Sequence, residues 1–485
     1  RAGGSRPGGG RSGRGGRAAR GGRGGRGGAD GAGRTSPPRK TAPQNHKAPA
    51  TPEFVRPSDL AEELFEMGSA AEALQRCEEL WMPWARAGHP PEVNSTAPTA
   101  PEAAFMMRRL ASLAAPCPRG QRSSLVREPF VRGLLRHVVA NAARVTSADQ
   151  RSQAVADTVW SLGVLAGPYL YAEEMAALVE TPVNLERGLF QPPQVADLLW
   201  GLATCQHEPS RLGAFLEVVA ATDGGLSEYS PRDITTVLWA VATLRPRQPV
   251  VAALLASSPR TWAGAGGWTP LELTTDQLST AAWALAACGA AGAESPQLLR
   301  LWQEICERRD AFLGAAKTRF SLLRIHQVAL TLDLESAYDP RELHPHGRNV
   351  MAAARRSWMR DSGDKRTKHV SHLQRELGAA LASLGLSPLE ESNVAGYSVD
   401  LTVPEHSLAI EADGPSHFSR TSGRLLGSAV LKRRHLRRSG WRVLSVPLAT
   451  WEELIGPEER GRYLKVGQPR PGMRETCGVG RGRLS

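Results

Sequence analysis

Val155-x3-Val159-Trp160-x-Leu162 returns as Val195-x3-Leu199-Trp200-x-Leu202, as Ile234-x3-Leu238-Trp239-x-Val241 and as Leu278-x3-Ala282-Trp283-x-Leu285, with the tryptophans 40, 39 and 44 residues apart. Within each unit the apolar positions i, i+4, i+5 and i+7 share one face of a helix, and a second apolar segment follows, such as Leu212–Val219 or Val250–Leu255. Each unit therefore reads as a helix pair. Such a pair cannot bury its apolar face alone, so the units are expected to stack into an α-solenoid. Pro192-Pro193 and Pro231, just before the second and third units, suit helix starts. Trp160, Trp200, Trp239 and Trp283 are expected to be core anchors between neighbouring units, because stacking demands a period-locked aromatic on one face. Side chains that read a ligand would sit on the opposite face of the first helices, among residues such as Asp157, Asp197, Thr236 and Thr280, between which one sequence does not choose.

Outward from the repeats, helical periodicity continues on both sides. Leu60, Leu64, Met67 and Leu74 mark a helix between Pro57 and Trp84, and Phe130, Leu134, Leu135 and Val138 mark another within 102–145. Pro83, Pro90, Pro91, Pro98 and Pro101 interrupt any helix between them. Beyond Phe320 a helix is expected over 321–334, then a polar linker rich in Arg, His and Pro from Asp339 to Thr367, then an amphipathic helix over 370–384.

At 485 residues, 41% of them hydrophobic, the chain has room for two or three domains with real cores. No stretch approaches the roughly 18 to 20 consecutive apolar residues of a membrane span, so a soluble protein is expected. Six scattered cysteines with no CxxC pair argue against a zinc site or a disulfide framework and fit a reducing compartment. The net charge of +12 is misleading. Twelve Lys or Arg against the single acid Asp30 place about +11 of it in residues 1–50, leaving the rest of the chain near +1. Basicity of the whole chain therefore says nothing about what its folded part binds.

Residues 1–52, with Arg-Gly-Gly triplets from Arg14 to Gly28, bury too little apolar surface to offset their ordering entropy and are expected to be disordered. They suit an organelle-targeting segment, an RGG-type arm on RNA, or a solubilising tail. Arg1 need not be the true start.

After Gly385 the period changes from 3.6 to 2. Tyr397-Ser398-Val399-Asp400-Leu401-Thr402-Val403 alternates as a strand, and Pro404-Glu405-His406 turns it into a second, Leu408-Ala409-Ile410-Glu411-Ala412-Asp413. A loop at 414–418, a helix over about 427–438, a strand at 441–446 and a last helix opened by Trp451 complete an expected order of αββαβα.

Val399-Asp400, Ala409-Ile410-Glu411-Ala412-Asp413-Gly414-Pro415-Ser416-His417-Phe418, Leu426-Gly427, Leu431-Lys432-Arg433-Arg434-x-Leu436, Gly440-Trp441, Val446-Pro447 and Trp451 together resemble the RAP domain. The repeats over about 153–313 resemble the octotricopeptide type and the helical array of the FAST-kinase-like family. These resemblances imply single-stranded RNA, messenger or ribosomal, as the partner, in a mitochondrion or chloroplast and alongside other organellar RNA-processing proteins. For the C-terminal module they imply a compact α/β fold similar to the PD-(D/E)xK nucleases of the Vsr-like branch.

Asp400 and Glu411, on partner strands, could converge on Mg²⁺ or Mn²⁺, and such an ion would lower the pKa of a bound water and stabilise charge on a scissile phosphate. Asp413 stands two residues after Glu411, where such nucleases usually carry Lys, so the cation would have to come from His417 or Lys432. Three readings of Asp400, Glu411, Asp413, His417 and Lys432 stay open: metal-dependent RNA hydrolysis, a phosphate site without catalysis, and local hydrogen bonds that hold the turn. No cofactor is expected unless the first holds. From Gly414 to Thr450 the chain has eight Lys or Arg and no acid. Arg420, Arg424, Lys432, Arg433, Arg434, Arg437 and Arg438 are the candidates for phosphate contact, against the alternative of a solvated helix face.

The expected architecture is a helical-repeat solenoid followed by a small α/β domain. Its boundaries are a tail at 1–52, the solenoid at 53–334 (clearest at 153–313), a linker at 335–367, the RAP-like domain at 368–462 with its core at 397–454, and a flexible tail at 463–485. The expected function is organellar RNA binding in RNA processing, stability or translational activation. A metal-dependent endoribonuclease and a protein-interaction scaffold are the alternatives.

Overall fold

A computed structural model describes residues 67–86, 98–185, 190–221, 229–244, 272–289, 296–314, 319–362 and 371–466. The tail, the segment 250–255, the start of the helix expected from Pro57 and the chain after Val466 lie outside these residues.

The helices are α1 (Ala70–Arg86), α2 (Ala100–Ala114), α3 (Arg119–Leu125), α4 (Pro129–Asn141), α5 (Ala148–Leu165), α6 (Ala172–Val179), α7 (Pro192–Thr204), α8 (Leu212–Ala221), α9 (Pro231–Leu244), α10 (Thr275–Ala287), α11 (Pro296–Glu307), α12 (Arg309–Leu313), α13 (Arg319–Glu335) and α14 (Gly347–Ser362). The motif-bearing helices α5, α7, α9 and α10 pack one on the next, with α2 before them and α13 and α14 after, in a single row. Second helices such as α4 and α11 pack on α2 and α10.

Helix starts are chemically specified. Thr99 with Glu102, Gln191 with Gln194 and Thr274 with Gln277 form capping boxes on α2, α7 and α10. Gln194 also ties α7 to α5, donating to Gln153 Oε1 at 2.9 Å and accepting from Ser152 Oγ at 3.0 Å. Further along, Asp276 of α10 accepts from Arg324 of α13 at 2.7 Å.

Trp160, Trp200 and Trp239 are half-buried against the main core and Trp283 is buried in it. The rings of Trp160 and Trp200 lie 5.9 Å apart, and the Trp283 indole N–H donates to Gln327 Oε1 at 2.8 Å. Close approach of α5 and α7 requires glycine: a Cβ on Gly201 would sit 2.4 Å from the Val159 carbonyl oxygen. Asp157 and Asp197 are joined by Arg108, at 3.5 and 2.6 Å, while its guanidinium lies 3.8 Å from the centroid of Trp160. Burial pushes the Asp157 carboxyl up to about 6. These two residues clamp helix to helix, whereas Thr236 and Thr280 bond back to carbonyls of their own helices from half-buried positions.

The stretch expected to be a polar linker is ordered over much of its length. α14 forms because Val350, Ala353, Ala354 and Ser357 recur at three- and four-residue spacing and are buried along α13, a period that the flanking Arg and His residues conceal.

The C-terminal part comprises α15 (His372–Ser383), β1 (Leu389–Val394), β2 (Tyr397–Val403), β3 (Leu408–Asp413), α16 (Gly427–Arg438), β4 (Arg442–Pro447), α17 (Leu448–Glu453) and α18 (Gly456–Val466). The sheet order is β1-β2-β3-β4, antiparallel except for the parallel β3–β4 pair that α16 connects. β1 is an addition to the expected order. Its sequence, Leu-Glu-Glu-Ser-Asn-Val, is polar because it is an edge strand, and it closes on β2 through a two-residue turn in which Ala395 and Gly396 both have positive φ.

Alternate residues of β3 face two different cores. Leu408 and Ile410 join Leu373, Leu377 and Leu381 of α15, Trp451 and Leu464. Ala409 joins Tyr397, Val399 and Leu436 and reaches Leu330 of α13 and Trp358 of α14. The end of the helical stack thus supplies part of the layer covering one side of the sheet.

Candidate functional site

α16 and the loop before it lie across the C-terminal ends of α7, α9, α10 and α13. Just after α7, Glu208 accepts from Ser422 Oγ at 2.6 Å and from Arg424, and its backbone N–H donates to Thr421 Oγ1 at 2.8 Å. At α9, Gly427 fits where a Cβ would stand 1.8 Å from the Ala242 carbonyl oxygen. Arg434 donates to the last-turn carbonyls of Ala286 and Ala287 at the end of α10 and pairs with Glu335, the last residue of α13, at 2.5 Å. Those carbonyls have no partner within their helix and carry the negative end of its dipole, so the half-buried guanidinium satisfies both needs.

Beside this interface three charged groups meet. β2 and β3 pair only through Leu401–Val403. Beyond that point the Asp400 carboxylate takes the place of a backbone acceptor and receives the Ala412 N–H at 2.8 Å. Glu411, on β3, is buried; its Oε2 accepts from Lys432 Nζ at 2.7 Å and its Oε1 has no hydrogen-bond partner. Burial pushes Glu411 up to about 7 against the opposing pull of Lys432, and burial also raises Asp400. Sequence distance hides this convergence, which places Lys432 where the cation expected after Glu411 is missing.

Asp413 faces other partners. It is buried and accepts from Arg433, from Ser445 Oγ at 2.5 Å and from His417 Nδ1 at 2.6 Å. Burial opposes its ionisation, but the His417 and Ser445 hydrogen bonds with the Arg433 charge hold it below the usual carboxylate range. This set ties the 414–418 loop to α16 and β4.

The charge run on α16 is therefore divided. Lys432, Arg433 and Arg434 are engaged within the protein, as is Arg424 in the loop, while Arg437 and Arg438 are exposed. Arg420 is exposed, and its backbone N–H donates to Gln206 O at 2.8 Å. Periodicity along one helix predicts which residues share a face, and only packing decides whether that face meets water or another helix.

A second basic array lies where the linker was expected. Arg348, Arg355, Arg356 and Arg360 of α14, with Arg341, line a groove of about 1010 Å³ between α13, α14 and the β1–β2 turn. The spacing of Val350, Ala353, Ala354 and Ser357 was the available signal for this helix and hence for these residues.

Two histidines between the stack and the sheet must stay neutral. His435 is fully buried, hydrogen-bonded to the Tyr397 hydroxyl at 2.8 Å and to Thr331 Oγ1 at 2.9 Å. Burial, with Arg434 and His326 nearby, pushes it down to about 3; burial and then Arg355 push His326 down to about 4. A depressed histidine pKa means that the folded state binds fewer protons than the unfolded chain. The contribution is complete above about 6.5 and is lost as pH falls toward the folded values. At pH 5 each histidine is expected to cost about 2 kcal/mol. Glu411 has the opposite sign: its raised pKa favours the folded state below about 4.5, and the benefit fades as pH rises through about 7. Denaturant melts of the wild type and His435→Gln between about pH 7.5 and pH 5 isolate the histidine effect. The variant should lose less stability on acidification, and equal losses would refute the account.

With this geometry described, the protein is a stack of paired helices whose end is closed by a small α/β domain. Residues 410–466 match the RAP domain, so the chain carries that domain on β3, α16, β4, α17 and α18, the match beginning after Asp400. A RAP domain-containing protein, chloroplastic, from Oryza sativa subsp. japonica is 30% identical over 196 residues, which cover 39% of this chain and 29% of that protein. Among the described residues no helix is long and apolar enough to cross a membrane, and no group of three or more His, Cys, Asp or Glu is arranged to hold a metal ion.

Proposed function

We propose that this chain is an organellar RNA-binding protein that acts on transcripts after their synthesis, the helical stack receiving single-stranded RNA and the RAP domain contacting its backbone. The observation that carries this reading is the RAP domain itself, found here and in a rice protein whose name places it in the chloroplast. The proposed compartment is an organelle, mitochondrion or chloroplast, and the rice relative's name supports the chloroplast. The outputs that fit are RNA stabilisation, maturation of ribosomal or messenger RNA, and translational activation, with other organellar RNA-processing proteins as partners.

A second reading, endoribonuclease action, is favoured by the meeting of Asp400, Glu411 and Lys432 and by the unpartnered Glu411 Oε1. Asp400 and Glu411 would hold the Mg²⁺ or Mn²⁺, which supplies a Lewis acid and an acidified water. Lys432 would steady a phosphate oxygen.

One experiment addresses both. Filter binding of the full chain to pooled single-stranded RNA should weaken linearly in log affinity against log salt, by about 0.7 per phosphate contacted. Binding that ignores salt, or none at all, removes the RNA reading. The same samples with Mg²⁺, run on a gel, should show cutting that Glu411→Ala abolishes while binding persists; cutting that survives this change removes the nuclease reading.

A further inference from the structure

The groove between α13, α14 and the β1–β2 turn has three features that the helix-to-helix packing does not use. First, its cations form a row. Arg348, Arg355, Arg356 and Arg360 fall on one stripe of α14 together with Met351 and Met359, all six lining the groove. These four arginines are exposed and make no hydrogen bond or ion pair among the described residues, although Arg348 adds its charge to Arg341 in holding the Asp339 carboxyl below its usual range. Arg341, at one end, is partly committed to Asp333 and Asp339. Arg355, Arg356 and Arg360 continue the row that Arg348 begins over about 18 Å of helix, and the cations outnumber Asp333, the one acid of the lining, so the groove carries a net positive field.

Second, the groove lining is apolar as well as charged. Ala329 and Leu330 of α13 and the two methionines share it with the arginines. Met359 is 44% exposed, a large apolar side chain left accessible beside cations. A ligand that satisfies both features alternates anionic groups with flat, weakly polar ones, and arginine planes and methionine sulfur are surfaces on which such rings stack.

Third, His326 is buried at the groove lining with its Nε2 unpartnered. Burial keeps it neutral. That nitrogen is closed off from solvent beneath Gly396, so His326 shapes the lining without touching a ligand. The wall opposite α14 is held firmly: the Trp358 indole donates to Gly396 O at 2.5 Å and Asn393 accepts the Gly396 N–H at 3.1 Å. The groove is therefore preorganised between two parts of the fold.

We infer that this groove is a binding site for the sugar-phosphate backbone of single-stranded RNA, with Arg355, Arg356 and Arg360 on phosphates. The inference rests on the RNA-binding reading above and gives it an address. The last helix of the stack adds phosphate contacts that Lys432, Arg433 and Arg434 of α16, engaged within the protein, cannot make. Contacts of this kind position a strand without reading its sequence.

The test uses the full chain and a labelled single-stranded RNA of random sequence. Arg355→Glu, Arg356→Glu and Arg360→Glu together should weaken binding at least tenfold and lower the magnitude of the salt slope by about 2, as expected for three lost phosphate contacts at about 0.7 each. Arg437→Glu with Arg438→Glu, on the exposed end of α16, should weaken binding less than the α14 triple does. A melting temperature equal to the wild type's separates lost contacts from lost folding; if it falls, the neutral triple glutamine variant is used with the same criteria. Wild-type binding that the α14 changes leave intact overturns the groove assignment and spares the RNA reading. Absence of salt-dependent RNA binding by the wild type overturns both. Displacement of the RNA by polyglutamate at equal charge concentration also overturns the assignment, since it would mark a general surface for anions or acidic proteins.

Discussion

Arg433→Ala is expected to lower the stability of the folded chain by about 3–5 kcal/mol, among the largest effects of any single change in it. Arg433 and Asp413 are both buried, and truncating the arginine leaves a carboxylate in the interior with only His417 and Ser445 as partners. The cost comes from the charge left behind more than from the attraction lost. An apolar replacement of the whole pair, Asp413→Leu with Arg433→Met, is therefore expected to recover most of the loss. Chemical denaturation of the three proteins decides the matter. A loss below about 1 kcal/mol for Arg433→Ala would mean that water reaches Asp413 and that the loop is not held as described.

Gly427→Val is expected to separate the RAP domain from the helical stack. The side chain would enter the space of the Ala242 carbonyl, and that atom belongs to the backbone of α9 and cannot turn aside. Overpacking of this sort costs about 3 kcal/mol or more. It should act on one interface, loosening the Arg434 bonds to Ala286 and Ala287 with it. Hydrogen exchange should rise at the ends of α9 and α10 and along α16 while α2–α5 stay protected. Wild-type protection at those helix ends would show that the contact is not a constraint. Loss of RNA binding by the same variant would show that the stack and the RAP domain must be held together to bind.

Much of this architecture was legible because it is periodic. Four apolar-Trp segments at near-constant spacing describe helices that can bury their faces only on one another, and the row from α5 to α10 is the outcome. The switch to alternation at Tyr397–Asp413 describes strands, and β2 and β3 pair there. What escaped was whatever breaks its own pattern. β1 is polar because it lies at an edge, and α14 hides four buried small residues among arginines.

The carboxylates and basic residues tell the same story at the level of chemistry. Composition could show that Gly414 to Thr450 is basic and acid-free, but a charge has no meaning until its neighbours are known. Glu335 lies about a hundred positions from Arg434 and Glu208 more than two hundred from Arg424, yet each pair is in contact. The helix presumed to face a ligand is largely the fastener between two parts of the fold, and the free arginines lie on the helix hidden in the expected linker.

By itself the amino-acid sequence determined the helical repeats, the strand-forming segment and the RAP domain, because local periodicity and short-range motifs encode the burial of one face. Only the tertiary structure decided which cations remain available, because a side chain's partners are set by elements far away in the chain that packing brings within 3 Å of it.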